Sequence, residues 1–142
     1  MKIKDRKISR MKMFTLMEIV VVIVILMMLA AIATPLYFRH VKKARITTAK
    51  TQIKMIEQAI FDFRLDMGAL PDSSSGLRAL VENTTGEKKW DGPYIKPFPK
   101  DPWGREYIYV YPGQHGDFDI ICYGGDGESG GEGEAADINN WE

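Results

Sequence analysis

Two sets of carboxylates sit where an acid needs a partner. The first is a single residue. Glu18 lies near the start of an apolar run that opens Phe14-Thr15-Leu16-Met17-Glu18 and continues from Ile19 to Ala33 with no charged or polar side chain. On the insertion scale a carboxylate at mid-bilayer costs about 2.5–3.5 kcal/mol, so Glu18 asks for a cation. The second set is crowded. Beyond Arg105 there is no Lys or Arg, while Glu106, Asp117, Asp119, Asp126, Glu128, Glu132, Glu134, Asp137 and Glu142 accumulate among the glycines at 116, 124, 125, 127, 130, 131 and 133. A flexible, oxygen-rich loop of one charge repels itself unless a hard cation organises it. Calcium suits such a loop better than magnesium, which holds to a stricter octahedron and keeps several waters. From Asp126 to Asp137 the chain imitates an EF-hand loop, with an acid first, Gly131 sixth and an acid last. The third and fifth positions do not match and flanking helices are missing, so that motif is rejected. The alternative is a solvated acidic tail.

The elements around Glu18 set its environment. From Phe14 to Phe38 the run is 25 residues long, enough to cross the roughly 30 Å hydrocarbon core as a helix. Residues 1–13 carry Lys2, Lys4, Arg6, Lys7, Arg10 and Lys12 against Asp5, a net charge of +5. The positive-inside rule keeps that leader cytoplasmic and places the rest of the chain across the membrane. Ala30-Ala31-Ile32-Ala33 offers an A-x-A-like cleavage site, the mark of a secretory signal. Against that reading, a disposable signal has no use for Glu18.

The basic leader, the Phe14-to-Glu18 block, the Val21-to-Leu26 run and Pro35 together resemble the class III signal of type IV pilins and type II secretion pseudopilins. The resemblance implies that a prepilin peptidase cuts between Met13 and Phe14, where relatives have Gly before the cut, and that Phe14 becomes an N-methylated terminus. Glu18, one helical turn on, would then pair with the new α-amino group of Phe14 on a neighbouring chain. A buried pair of that kind serves register more than stability, because a misaligned subunit leaves a charge unpaired. The alternative for Glu18 is a carboxylate resting at the headgroup boundary.

Beyond the membrane segment there is room for one small domain. Ile46, Ala49, Ile53, Ile56, Ile60, Phe63 and Met67 follow each other at spacings of three and four, an amphipathic helix stripe that continues the membrane helix. Pro35 is expected to kink this long helix without ending it. Gly68 and Pro71 are expected to stop it near Met67. The stripe buries against the domain's own sheet or, alternatively, against a partner in a coiled coil. Asp72-Ser73-Ser74-Ser75 predicts a capped short helix of about two turns over residues 76–81. Pro93, Pro97, Pro99 and Pro102 punctuate an irregular stretch. Two strand-like runs follow, Tyr107–Tyr111 and Phe118–Tyr123, joined by Pro112–Gly116, and predict a hairpin packed on the long helix. Cys122, the chain's single cysteine, reads as a small buried apolar residue.

A narrower resemblance is carried by Leu70-Pro71, Gly76-Leu77, Ala79-Leu80-Val81, Gly92-Pro93-Tyr94-Ile95, Asp101-Pro102-Trp103-Gly104, Pro112-Gly113-Gln114-His115-Gly116-Asp117 and Asp119-Ile120. In that order they are similar to the G-type major pseudopilins of type II secretion. The family implies an α+β pilin-like fold, with a long N-terminal helix on a small antiparallel sheet and a calcium-binding C-terminal loop. It implies three regions: a leader over 1–13, a transmembrane and assembly helix over 14–38, and a periplasmic domain over 39–142. It also implies one calcium ion held by the side chains of Asp126 and Asp137 and the backbone carbonyls of Tyr123 and Glu128, with a further oxygen from Glu134. The expected product is an inner-membrane, single-pass structural subunit that polymerises with itself into a helical periplasmic filament helping to drive protein export. Minor pseudopilins, an inner-membrane assembly platform and the prepilin peptidase are its implied partners. A surface type IV pilin, or an anchored calcium-binding module that never polymerises, are the rival readings.

Catalysis finds no constellation. His40 and His115 read as solvated or hydrogen-bonded residues, and no nucleophile elbow, zinc spacing or phosphate loop is present. After the leader the chain has 13 basic against 18 acidic residues, which disfavours nucleic acid. Arg39, Lys42, Lys43 and Arg45 cluster at the membrane exit, which suggests headgroup contact or pairing with acidic faces of neighbouring subunits.

Overall fold

The structure, a computed structural model, describes residues 14–142. The leader and Met13 lie outside these residues. The chain divides into two units, one ending at Arg39 and one running from His40 to Glu142. One helix, α1, covers Leu16–Met67, 52 residues.

In the first unit α1 carries apolar side chains on all sides, and the large ones from Phe14 to Phe38 are exposed. By length and composition this segment can cross a membrane. α1 continues through Pro35, as the resumed periodicity requires. The Thr34 hydroxyl donates back to the Ala30 carbonyl at 2.7 Å, a bond that competes locally with the helix ladder.

The second unit holds the core. α1 contributes Ala49, Ile53, Ile56, Ala59, Ile60 and Phe63, all buried. Five of these are the stripe read from spacing, and its end members Ile46 and Met67 pack on the cluster's margin. The stripe therefore buries within its own domain. Gly68 ends α1 with φ +78°, and its amide reaches the Arg64 carbonyl at 2.9 Å. That left-handed cap is open to glycine at little cost.

The expected short helix is present as a five-residue 3-10 helix, Gly76–Leu80. Its entry differs from the expected cap. Ser75, at the cap position, makes no side-chain cap bond. Asp72 Oδ1 instead accepts the amides of Ser74 at 2.9 Å and Ser75 at 2.7 Å, together with both their hydroxyls. Those donors pull the Asp72 carboxyl down to about 2. The turn is organised around Asp72, and it still delivers Leu77, Ala79 and Leu80 to the core.

The predicted hairpin is present as β1 (Ile108–Val110) and β2 (Asp119–Cys122), antiparallel with Ile108 opposite Ile121 and Val110 opposite Asp119. A third strand, β3 (Ile138–Asn139), pairs antiparallel with β2, Cys122 facing Ile138. The order is β1-β2-β3. Ile120, Cys122 and Ile138 turn into the core against α1 and Leu80. Side chains tie the sheet and the irregular stretch to the helices. Tyr107 donates to Gln52 at 2.6 Å, Tyr109 to the Pro71 carbonyl at 2.9 Å, Trp90 Nε1 to the Ala79 carbonyl at 2.8 Å, and the Tyr94 hydroxyl to Asp66 at 2.9 Å. Burial pushes the Tyr107 and Tyr109 phenols above their ordinary range, as expected for hydroxyls that serve as donors.

Candidate functional site

The acidic, glycine-rich segment is the connection from β2 to β3. Pairing of Cys122 with Ile138 brings its two ends onto one rung of the sheet, so sheet formation itself closes the loop. Inside it, Gly127 donates to the Tyr123 carbonyl at 2.9 Å, Gly125 to the Glu134 carbonyl at 2.7 Å, and Ala135 to the Glu132 carbonyl at 3.1 Å. Asp126 Oδ1 accepts the Glu128 amide at 3.1 Å. Asp137 Oδ2 accepts the Gly130 amide at 3.0 Å.

Asp137 Oδ1 is the atom that bears on a cation, because it is buried and receives no hydrogen bond. Leaving such an oxygen without a partner costs about 1–3 kcal/mol, more for a charged group. Among the described residues no three His, Cys, Asp or Glu side chains converge on one point. A metal here would draw on two carboxylates and on backbone carbonyls, an all-oxygen set of the kind a hard cation takes. Asp126, Asp137 and the carbonyls of Tyr123 and Glu128 fit that donor chemistry.

Glu134 is placed differently. Its Oε1 accepts from Arg45 Nη1 at 3.2 Å and Trp103 Nε1 at 3.3 Å, and its Oε2 lies 3.4 Å from Lys42 Nζ. Burial raises its pKa, but the Trp103, Lys42 and Arg45 contacts prevail and hold it below the usual carboxylate range. Its carboxylate is therefore engaged by cations of the same chain. Lys42 and Arg45 thus have an intramolecular partner, because the loop folds back onto the start of the domain.

Glu18 sits in the first turn of α1, where a carboxylate also meets the positive end of the helix dipole. Its amide donates to Thr15 Oγ1 at 3.2 Å. Thr15 is thus the N-cap of α1, half of a Thr-x-x-Glu box visible in the sequence but not singled out there. Phe14 is exposed, and cleavage before it falls at the edge of the described residues.

Other polar residues with structural duties were not read from the sequence. Asp119, almost fully buried, accepts the amides of Gln114 at 2.8 Å and His115 at 3.2 Å and faces His115 Nδ1 at 3.1 Å. Burial raises its pKa, but these donors win and hold it below the ordinary carboxylate value. His115 also stacks on Trp141, ring centroids 3.9 Å apart, which ties down the C-terminus. Buried Asp101 accepts the amides of Trp103 and Arg105 on Oδ1, at 2.9 and 2.7 Å, and the Cys122 thiol on Oδ2 at 3.5 Å. Cys122 is buried as expected, and it is also a donor. Burial and the Asp101 charge push its thiol up to about 11, which keeps it protonated and unreactive.

The comparisons with known proteins agree on a family. The model of type II secretion system protein G matches residues 37–141. The type II secretion system core protein G of Pseudomonas aeruginosa is 46% identical over 134 residues, covering 91% of this chain and 94% of that protein. The core protein G of Vibrio cholerae is 41% identical over 139 residues, 96% and 95% of the two chains. Among solved structures, the crystal structure of the major pseudopilin from the type 2 secretion system of enterohaemorrhagic Escherichia coli is similar with a TM-score of 0.58 and 36% identity, over 70% of this chain and 88% of that one. Helix, three-stranded sheet and motif order thus point the same way, and the chain belongs to the type II secretion system protein G family.

Proposed function

We propose that this chain is the major structural subunit of a periplasmic pseudopilus that helps drive protein export. The observation that carries the reading is the first half of α1, a helix of exposed apolar side chains interrupted by one carboxylate. Family membership favours the pseudopilin over the surface type IV pilin. The subunit is inserted in the inner membrane with its leader in the cytoplasm and its domain in the periplasm. A prepilin peptidase cuts between Met13 and Phe14, and Phe14 is N-methylated. Glu18 pairs with the Phe14 amine of a neighbour and sets the register of the growing polymer. The assembly platform and the minor pseudopilins are its working partners, and the role is structural, not enzymatic.

One calcium ion belongs to this reading, held by Asp126, Asp137 and the carbonyls of Tyr123 and Glu128. Bound there, it would offset the repulsion of the converging acids and satisfy the buried Asp137 oxygen. Glu134 serves the clamp to Lys42, Arg45 and Trp103 in place of the metal.

Electron microscopy of cells overexpressing the wild-type chain, joined with cysteine crosslinking of α1 in intact membranes, tests the proposal. Filaments and ladders of crosslinked subunits are expected. A chain that stays monomeric while processed and folded contradicts it and leaves an anchored calcium-binding module.

A further inference from the structure

We propose that Arg105 is a tethered cation that orders the β2–β3 loop before any metal arrives, and so sets calcium affinity as a positioning residue without touching the ion. The second half of this claim rests on the calcium reading above. Arg105 is the last Lys or Arg in the sequence, and nine acids follow it. Its guanidinium donates from Nη1 to the Gly124 carbonyl at 2.7 Å and from Nη2 to the Gly125 carbonyl at 2.9 Å. Two parallel charge-assisted bonds to consecutive carbonyls fix the direction of the chain as it leaves β2.

The backbone that carries Arg105 is itself held in place. Asp101 donates its amide to the Arg105 carbonyl at 2.8 Å and accepts the Arg105 amide on its buried carboxylate. Trp103, in the same turn, reaches Glu134 on the far side of the loop. The turn from Asp101 to Arg105 therefore grips the loop at 124–125 and at 134. The glycines record this contact. A Cβ on Gly127 would lie 2.7 Å from Arg105 Cζ, and one on Gly125 would lie 3.2 Å from both Trp103 Nε1 and Glu134 Cγ. Glycine at these positions makes room for Arg105 and Trp103, in addition to any flexibility it lends.

Hydrogen–deuterium exchange on the full chain in detergent micelles with EDTA tests the ordering directly. In Arg105→Gln, exchange of amides in 122–137 should rise about tenfold or more, while peptides from 49–63 of α1 exchange as in wild type. Arg105→Lys keeps the charge but not the two-pronged fork, and should fall between. Titration of the same samples with calcium chloride should give a dissociation constant about tenfold weaker for Arg105→Gln. Wild-type loop exchange in Arg105→Gln or in Arg105→Lys, an increase shared equally by α1, or an unchanged dissociation constant would each overturn the proposal. If wild type itself takes up no calcium, the metal reading fails alone, and the EDTA arm still decides whether Arg105 orders the loop.

Discussion

The first half of α1 and the β2–β3 loop invert what composition suggests. The helix is almost wholly apolar, yet its large side chains are exposed in the single chain. The loop is acidic and rich in glycine, yet its backbone at Gly124 and Gly125 and its Glu134 carboxylate are engaged by the same chain at Arg105, Trp103, Lys42 and Arg45. Apolar surface on that scale is stable only in a bilayer or against other copies. The Glu134 charge is tolerated because Lys42 and Arg45 are folded against it. One region is completed by its surroundings, the other largely by itself.

The sharpest way to break this contrast is Glu18→Leu. Hydropathy alone makes the variant a better membrane helix, whereas the need for a partner makes it a failed subunit. Filaments should be absent by electron microscopy of overexpressing cells, with the protein still inserted. Normal filaments would show that the exposed helix needs no paired acid.

Core truncations separate the two regions by stability. Ile60→Ala, in a fully buried position, should cost about 2–5 kcal/mol in denaturant unfolding of the domain followed by tryptophan fluorescence. Ile25→Ala, exposed in the first unit, should change the same transition by less than about 0.5 kcal/mol. Equal effects would mean that the membrane half supports the domain's core.

Calcium sharpens the loop side of the comparison. At free calcium a hundredfold above its dissociation constant, binding to the folded state alone stabilises by about 2.7 kcal/mol. Thermal melts of the full chain in micelles should shift upward with calcium and much less with magnesium. Asp126→Ala and Asp137→Ala should each erase the shift, and Glu142→Ala should leave it. A melt indifferent to chelation would remove the metal from the account and leave the loop to its protein contacts alone.

The smallest effect is on pH. The pKa of Asp119 is lower in the fold than in the unfolded chain, so the unfolded state binds its proton more readily. Its contribution is complete above the unfolded value of about 3.9 and is lost as pH falls through the lower folded value. Denaturant midpoints should decline over that acid range, and Asp119→Asn should flatten the decline. An unaltered acid limb would mean the buried carboxylate is not what the Gln114 and His115 amides stabilise.

How far the fold was legible follows from the range of each signal. Ile46 to Met67 repeat with the helix period, and Gly68 punctuates them, so α1's second half was readable one turn at a time. The branched and aromatic runs of β1 and β2 were readable for the same reason. β3 has only Ile138 and Asn139, too short for any period to register. The entry to the 3-10 helix at Gly76 was misread because Asp72, three residues ahead of Ser75, holds the Ser74 and Ser75 amides and hydroxyls, so that Ser75 makes no side-chain cap bond. Asp126 and Asp137 were visible as acids among glycines. The residues that hold the loop were not, since Arg105 meets Gly124 across 19 positions and Arg45 meets Glu134 across 89. The cluster of Lys42 and Arg45 was visible because it is local, whereas their Glu134 partner comes from the other end of the chain.

Completion of α1 by other copies through Glu18 requires a free amine at Phe14. Intact-mass and N-terminal peptide mass spectrometry of the protein from its native membrane measures this. A chain beginning at Phe14 and heavier by one methyl group is predicted. A protein that keeps residues 1–13, or that begins after Ala33, would contradict it, because Glu18 would then have no amine to meet or would no longer be in the chain.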